Sequence, residues 1–405
     1  MRIALAPDLH NCYMNYGRIL PTGEHSREAE WGKTAYAMLD ECKQRRIDVT
    51  VFPGDFFTNA RPAPRQVLAV ARLFHAFETV GIRVIGFPGN HDCPGAGQPG
   101  PCDLVAAMGD PWWSISEPTV VAIAGAGAYF AILPYCKPAA LNADASDPTD
   151  AAVKLSQALL DIARGLRAQC ELDLPKVLCG HWTIGGSVTS SNQVLGGTEP
   201  QLPLGELLGM GWDAVLFGHI HKPQMLYEKP FVGYAGALQR CDFGEERDPR
   251  GFWIVDLDDG SHEWVDLPAR EFLTIGKDLT NAGQEEIDHF IDWDIAGVDR
   301  KGDDYLLLPD AAGKIVRVKY TATEEAAGMI DHGRILQAVQ NAVPEYFAGI
   351  FPDIIRSDRS REASVTETTS PLEALGKWLV QRDIGADLQA KVIAEATELI
   401  KEAQA

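Results

Sequence analysis

No apolar run in this chain reaches the roughly 18 residues that a membrane-spanning helix needs, so no membrane span is expected. Cationic residues are few. There are 36 Lys and Arg against 57 Asp and Glu, for a net charge of −21. A protein that grips nucleic acid by bulk electrostatics needs Lys and Arg clustered along the contact. That class is therefore disfavoured for the chain acting alone. A nuclease stays open, because bound metal ions bring their own positive charge and a partner can supply a basic surface. Eight cysteines are present, but none form a Cys-x-x-Cys pair or a zinc-ribbon spacing. Cys136 and Cys179 lie in apolar, strand-like runs, where a reduced thiol behaves as a small hydrophobe. A cytoplasmic location without disulfides is expected, and Cys93 is read as a packing residue. Internal repeats and low-complexity tracts are absent too.

What is present is ordinary globular composition: 46% hydrophobic and 23% charged residues, which excludes wholesale disorder. A length of 405 residues exceeds one core and implies two or three domains. Met1–Ala6 is too short for a signal peptide and runs directly into Asp8, so it reads as the first strand. Strand-like runs at Ile3–Ala6, Asp48–Phe52 and Ile82–Phe87 alternate with helical periodicity over 26–46 and from Pro64 onward, where Val67, Val70, Phe74 and Phe77 recur at three and four. That rhythm predicts a parallel sheet with covering helices. Further buried strands are predicted at Tyr129–Leu133, Lys176–Cys179 and Ala214–Phe217, with helix over 149–169. Gly233 to Leu257 reads as strand-rich, closing a second sheet.

Beyond about residue 270, helix-like segments (283–293, 331–343) alternate with strand-like ones (315–320, 348–355), predicting a small α+β domain. The expected boundaries are 1–270, 271–356, a polar linker at 357–369, and a helical module at 370–405. In that module Ser370 and Glu373 form a capping box with Pro371 at the first helical position.

Five short motifs follow strand-like runs in fixed order: Asp8-Leu9-His10, Gly54-Asp55, Gly89-Asn90-His91-Asp92, Gly180-His181 and Gly218-His219-Ile220-His221. In open α/β sheets, ligands bind at the carboxyl ends of strands, so motifs spread from Asp8 to His221 can converge. Their imidazole, carboxylate and amide donors are the inventory of a two-metal phosphoesterase. Two adjacent cations repel, and a shared carboxylate lowers that cost; Asp55 is the expected bridge. Asp8, His10 and His221 would complete one ion, and Asn90, His181 and His219 the other. The mixed oxygen and nitrogen set suits Mn, Fe or Zn better than Ca. His91 is the expected general acid or transition-state donor, with Asp92 orienting its ring. Each motif alone is weak, and a lone Gly-His is commonly a turn; the ordered set is specific.

These five motifs resemble those of the calcineurin-like metallophosphoesterases. Gly54-Asp55-Phe56-Phe57 with Arg61-Pro62, and Gly236 to Glu245 followed by Gly251-Phe252, are similar to segments of the SbcD-type double-strand-break-repair exonucleases. The resemblance implies a two-sheet metallophosphoesterase sandwich flanked by helices, a small α+β DNA-capping domain and a C-terminal helix–loop–helix. It implies a Mn-dependent exonuclease and endonuclease acting on DNA ends, as a homodimer joined to an SbcC-type coiled-coil ATPase that the C-terminal helices dock. It carries the catalytic histidine to His91 and a DNA-contacting position to Arg61. The chain departs from some members in having Thr58 where they carry a histidine, three residues after the bridging Asp. Two other readings compete: a phosphoesterase for small molecules or phosphoproteins, and a metal-free scaffold on the same fold.

Overall fold

The structure is a computed structural model of the chain. It describes residues 1–11, 15–94, 98–123, 127–136, 147–170, 173–190, 193, 199–296, 298–301, 304–307, 311–356, 370–382 and 384–404. The expected linker at 357–369 lies outside them.

The chain starts with β1 (Arg2–Leu5), α1 (Ser26–Gln44), β2 (Val49–Phe52), α2 (Pro64–Thr79), β3 (Arg83–Gly86) and α3 (Pro101–Ala107). Then come β4 (Thr119–Ala122), β5 (Tyr129–Leu133), α4 (Pro148–Ala168), β6 (Lys176–His181), β7 (Thr183–Ile184), β8 (Gln201–Leu202), α5 (Leu204–Gly209) and β9 (Ala214–Gly218). β10 (Gln224–Tyr227), β11 (Phe231–Tyr234), β12 (Gly251–Asp256) and β13 (His262–Asp266) complete two large sheets. Their orders are β13-β12-β1-β2-β3 and β10-β11-β9-β6-β5-β4. β1, β2 and β3 run parallel, Ile3 opposite Val49 and Val49 opposite Arg83. β12 joins antiparallel, Leu5 opposite Trp253. In the second sheet β5, β6 and β9 are parallel, with Val177 opposite Ala214.

Side chains alternate across a strand, so each sheet buries two different sets. Ile3, Leu5, Val49, Val51 and Ile85 point inward and meet Phe130, Ile132, Val177, Cys179 and Leu216 of the second sheet. Ala4, Phe52 and Val84 point outward into a cluster with Phe56, Val70, Phe74 and Phe77, which α2 supplies together with the loop after β2. On the far side Leu133, Leu178, Val215 and Phe217 meet Leu155, Leu159 and Leu166 of α4. The result is helix, sheet, sheet, helix, the expected two-sheet sandwich. Strands buried on both faces read as continuous apolar runs, which is why they were visible in the sequence.

The remaining elements are β14 (Phe272–Asp278), α6 (Gln284–His289), β15 (Val298–Lys301), β16 (Asp304–Leu307), β17 (Ile315–Thr323), α7 (Glu324–Met329), α8 (His332–Asn341), β18 (Tyr346–Ile355), α9 (Pro371–Gln381) and α10 (Ala386–Gln404). A third sheet has the order β14-β17-β18, and β15 pairs with β16. The helix expected over 283–293 is α-helical only through α6; Phe290–Ile295 continues as π-helix. Two compact units emerge. One comprises Met1–Gly276, His289–Lys319 and His332–Phe351; the other comprises Lys277–Asp288, Tyr320–Asp331 and Pro352–Ala405. In the second, Ser370 Oγ accepts the Glu373 N–H and caps α9, as its sequence required. Among the described residues no helix is long and apolar enough to cross a membrane.

Phe74 is fully buried, its ring 4.5 Å from Phe52 and 5.2 Å from Phe56 between centroids. Phe74→Ala is expected to cost about 3–5 kcal/mol, and Leu68→Ala on the exposed face of the same helix under about 0.5 kcal/mol. Urea unfolding of both variants checks this; equal losses would contradict the layer assignment.

Candidate metal centre

All five motifs sit where strands of the first compact unit end. Asp8 follows β1, Asp55 follows β2, Asn90 follows β3, His181 closes β6 and His219 follows β9. Short backbone bonds knit these turns together. Asp8 N–H donates to Gly236 O at 2.8 Å, and His10 N–H to Asp55 O at 2.8 Å. Asp55 and His10 adopt positive φ of 48° and 39°, uncommon for residues with a side chain and a sign of a tightly constrained turn. Gly54 has φ 108°, and a Cβ there would collide with the His181 ring and the Gly89 backbone. Only glycine fits that close approach.

Two donor groups form within this turn cluster. Asp8, His10 and His221 are one; Asp55, His181 and His219 are the other; in each, the ligand atoms lie within 4.8 Å of one another. Asp55 Oδ2 stands between them, 3.6 Å from His10 Nε2 and 3.3 Å from His181 Nε2. Asn90 Oδ1 lies 3.0 Å from both His181 Nε2 and His219 Nδ1. The structure thus brings together all seven residues expected as ligands. Asp8, His10, Asp55, His181 and His219 are buried, while Asn90 and His221 are half-buried.

The donor chemistry fits cations. His181 Nδ1 sits 2.6 Å from Pro53 O, and His221 Nδ1 sits 2.7 Å from Glu245 Oε1. Those partners only accept, so each of these nitrogens carries the ring proton, and each Nε2 presents a lone pair inward. The His221 lone pair faces His10 Nε2 at 2.8 Å, and the His181 lone pair faces the Asn90 carbonyl oxygen. Asp8 Oδ1 is buried with no hydrogen-bond partner. A site where acceptors confront acceptors is repulsive until a cation enters. The titration directions agree. Burial and the His221 charge hold His10 well below its usual range, leaving it neutral for coordination. Burial and the Asp55 charge push Asp8 up. For Asp55 burial acts upward too, but His181, His10 and His91 outweigh it and hold its carboxyl low.

His91 is exposed at the rim, its ring centroid 5.1 Å from that of His10. Its backbone N–H donates to Asp55 Oδ1 at 2.9 Å, fixing it to the shared carboxylate's other oxygen. Its Nδ1 lies 3.0 Å from Thr58 O, which leaves Nε2 as the second nitrogen of an exposed ring. The expected orientation of that ring by Asp92 is corrected. The buried Asp92 carboxylate accepts the N–H groups of Phe56, Phe57 and Gly89, each at 3.0 Å, so it staples the Asp55 turn to the Asn90 turn. Three inward-facing amides from these two turns out-compete a rim imidazole for a short side chain. Arg61 is exposed in the loop beyond Thr58, its backbone N–H bonded to Asn59 Oδ1 at 2.9 Å.

Four residues around the site were not assigned a role from sequence. Glu245 and Arg250 sit behind His221; Glu199 lies against His219 Nε2. Gln193 donates Nε2–H to His219 O at 2.6 Å and accepts the His221 N–H at 3.1 Å. Burial pushes the Glu245 carboxyl up, but its bonds to His221 and Cys241 and the Arg250 charge dominate and hold it at about 2. Glu245 lies in the segment that carried the SbcD resemblance, a signal without a stated role; Glu199 and Gln193 had no sequence signal.

Known proteins resemble parts of this sequence. The chain is 28% identical over 118 residues to the SbcD subunit of the SbcCD nuclease of Staphylococcus saprophyticus, covering 28% of this chain and 30% of that protein. It is 24% identical over 310 residues to the "DNA double-strand break repair protein Mre11" of Methanopyrus kandleri, covering 71% of this chain and 61% of that protein. The matches therefore span less than two thirds of either relative. A crystal structure of a Thermus thermophilus protein superposes with a TM-score of 0.36 at 15% identity, over 65% of this chain and 98% of that one. Residues 1–223, which hold the five motifs of the metal centre, match the calcineurin-like phosphoesterase family, and the chain belongs to that family.

Proposed function

We propose that this protein is a metal-dependent DNA nuclease, the SbcD-like subunit of a complex with an SbcC-type coiled-coil ATPase. The observation that carries the hydrolytic part is Asp55 Oδ2 standing within 3.6 Å of histidines from two donor groups, with His91 exposed beside them. The DNA part is supported by the two relatives, whose names are those of a nuclease subunit and a double-strand-break repair protein.

In this reading Asp8, His10 and His221 hold one divalent ion and Asn90, His181 and His219 the other, with Asp55 shared; manganese suits the set. When bound, such ions neutralise the phosphate oxygens and render a water nucleophilic. The chain's own contribution starts with Asn90, a neutral amide, which adds an oxygen without adding negative charge and so keeps the site attractive to phosphate. His91 then supplies the proton. With its Nδ1 proton held by Thr58 O, the imidazolium form carries a second proton on Nε2 and delivers it to the leaving alkoxide, returning to the neutral ring. Asp92 supports this indirectly, by holding the two turns that place Asp55 and His91. Arg61, exposed on the neighbouring loop, offers a cation to the DNA backbone beyond the scissile phosphate. A net charge of −21 supports a reading in which bulk DNA affinity comes from the ATPase partner.

The domain limits carry the same proposal: nuclease at 1–270, DNA capping at 271–356, a linker at 357–369 and docking at 370–405. The last is supported by Trp378, Val380, Leu388 and Leu399, all about half or more exposed on α9 and α10. A homodimer is part of the proposal. Phosphoesterase action on a small molecule remains the competing enzyme reading. A metal-free scaffold is disfavoured by the acceptor-lined centre.

Release of label from 3′- and 5′-end-labelled duplex DNA, with Mn and with EDTA, tests the function. Mn-dependent release supports it and reports polarity; turnover of a generic phosphodiester without DNA release, with and without the ATPase, would favour the small-molecule reading. His91→Ala is expected to keep both metals and lose cleavage by about 10²–10⁴-fold. Metal analysis beside the assay checks this, and wild-type cleavage would remove the proton-donor role. Truncation after residue 360 is expected to keep simple Mn-dependent cleavage and to lose the ATPase in co-purification. Retention of the partner would overturn the docking role.

A further inference from the structure

His219 and His221 are two residues apart, yet they turn different nitrogens inward. His219 presents Nδ1, 3.0 Å from Asn90 Oδ1, whereas His221 presents Nε2, 2.8 Å from His10 Nε2. The outward nitrogens explain the difference. Each meets a carboxylate that comes from outside the five motifs: Glu199 against His219 Nε2, and Glu245 Oε1 at 2.7 Å from His221 Nδ1. A carboxylate only accepts, so it selects the tautomer whose proton points outward and whose lone pair points inward.

Both carboxylates are themselves anchored. Glu199 Oε1 also accepts the hydroxyl of Thr183, a buried residue of β7, at 3.0 Å. Glu245 Oε2 accepts the Cys241 N–H at 2.9 Å and Arg250 Nη2 at 2.5 Å. The Arg250 side chain is 1% exposed, and its Nη1 reaches His221 O at 3.2 Å, so one guanidinium ties the carboxylate to the backbone of the histidine it orients. His221, Cys241 and Glu245 also form a compact group of metal-binding residue types. A third ion there is excluded by Arg250, which already occupies the carboxylate with a buried cation.

We propose that Glu199 and Glu245 are positioning residues, each fixing which nitrogen its histidine offers to one of the two ions; this rests on the two-ion reading above. Glu199 serves the ion of Asn90, His181 and His219, and Glu245 the ion of Asp8, His10 and His221. Outer partners of metal-bound histidines are worth about 10–100-fold in affinity.

The test is a Mn2+ titration of the full-length, chelator-stripped chain by calorimetry, with low-temperature electron paramagnetic resonance to distinguish a coupled pair of ions from a single one. The wild-type chain is expected to bind two ions with a coupled spectrum. Glu199→Ala, at a partly exposed side chain, is expected to weaken one ion about 10–100-fold. It should then show the single-ion spectrum at concentrations that fill the wild type. Glu199→Gln should fall between, since the amide oxygen still accepts from the ring. Glu245→Gln, which keeps that oxygen beside Arg250, should weaken the other ion, and circular dichroism of the stripped proteins reports that the fold is intact. Glu199→Ala and Glu245→Gln that fold and bind both ions as tightly as the wild-type chain would overturn the proposal. A wild-type chain that binds fewer than two ions would defeat the two-ion reading itself, and this inference with it.

Discussion

Asp55 is a buried carboxylate held between histidines of two donor groups, and burying an anion there is costly unless positive charge answers it. The rest of the site follows from that constraint. Asp55 Oδ1 takes the His91 N–H, which leaves Oδ2 as the atom pointing between the groups. Asp8 adds a second buried carboxyl group with one oxygen bonded to the His219 N–H and the other bare. Four imidazoles surround these carboxyl groups, three of them engaged on the outward side by acceptors. The ring nitrogens of His181 and His219 thus face the Asn90 oxygen, an arrangement that a cation would answer, and the turns that carry these groups must be held rigidly.

The sandwich supplies that rigidity. Three separate apolar layers hold the strand ends whose turns carry the ligands, and the turns are bonded to one another rather than to solvent. Asp92 shows how far this goes. Its carboxylate takes three backbone amides, binding the turn of Asp55 to that of Asn90. A helix or loop scaffold would allow these turns to drift. Parallel strands buried on both faces do not, because a shift of one residue would turn each apolar set to the wrong layer.

Much of this was legible in the sequence, for identifiable reasons. The seven donors are visible because each follows an apolar strand and lies in a glycine-flanked turn, a pattern local in sequence. The central strands are visible because both of their faces are apolar. What stayed hidden depends on long-range contact. Glu199 and Gln193 look like ordinary polar residues, and only the folded chain puts them behind His219. Asp92 stands in a legible motif, but its adjacency to His91 suggests a ring contact, whereas the turn geometry directs its carboxylate to backbone amides. The pairing of β12 with β1, which closes the first sheet from more than two hundred residues away, carries no local mark either.

The overall charge and the site pull in opposite directions, and distance reconciles them. A net charge of −21 repels a polyanion in general, but exposed charges farther apart than a Debye length of about 8 Å are largely screened at physiological salt. What a phosphate meets on contact is the local field. At the centre the anions are few, buried and already matched to cation-binding donors, and the remaining oxygen donor is the neutral Asn90 rather than another carboxylate. Had an aspartate stood there, divalent ions held by this set would keep less net charge to set against the acidic surface. An acidic chain can thus act on an acidic substrate provided its ligand set is economical in negative charge and long-range attraction is left to a partner.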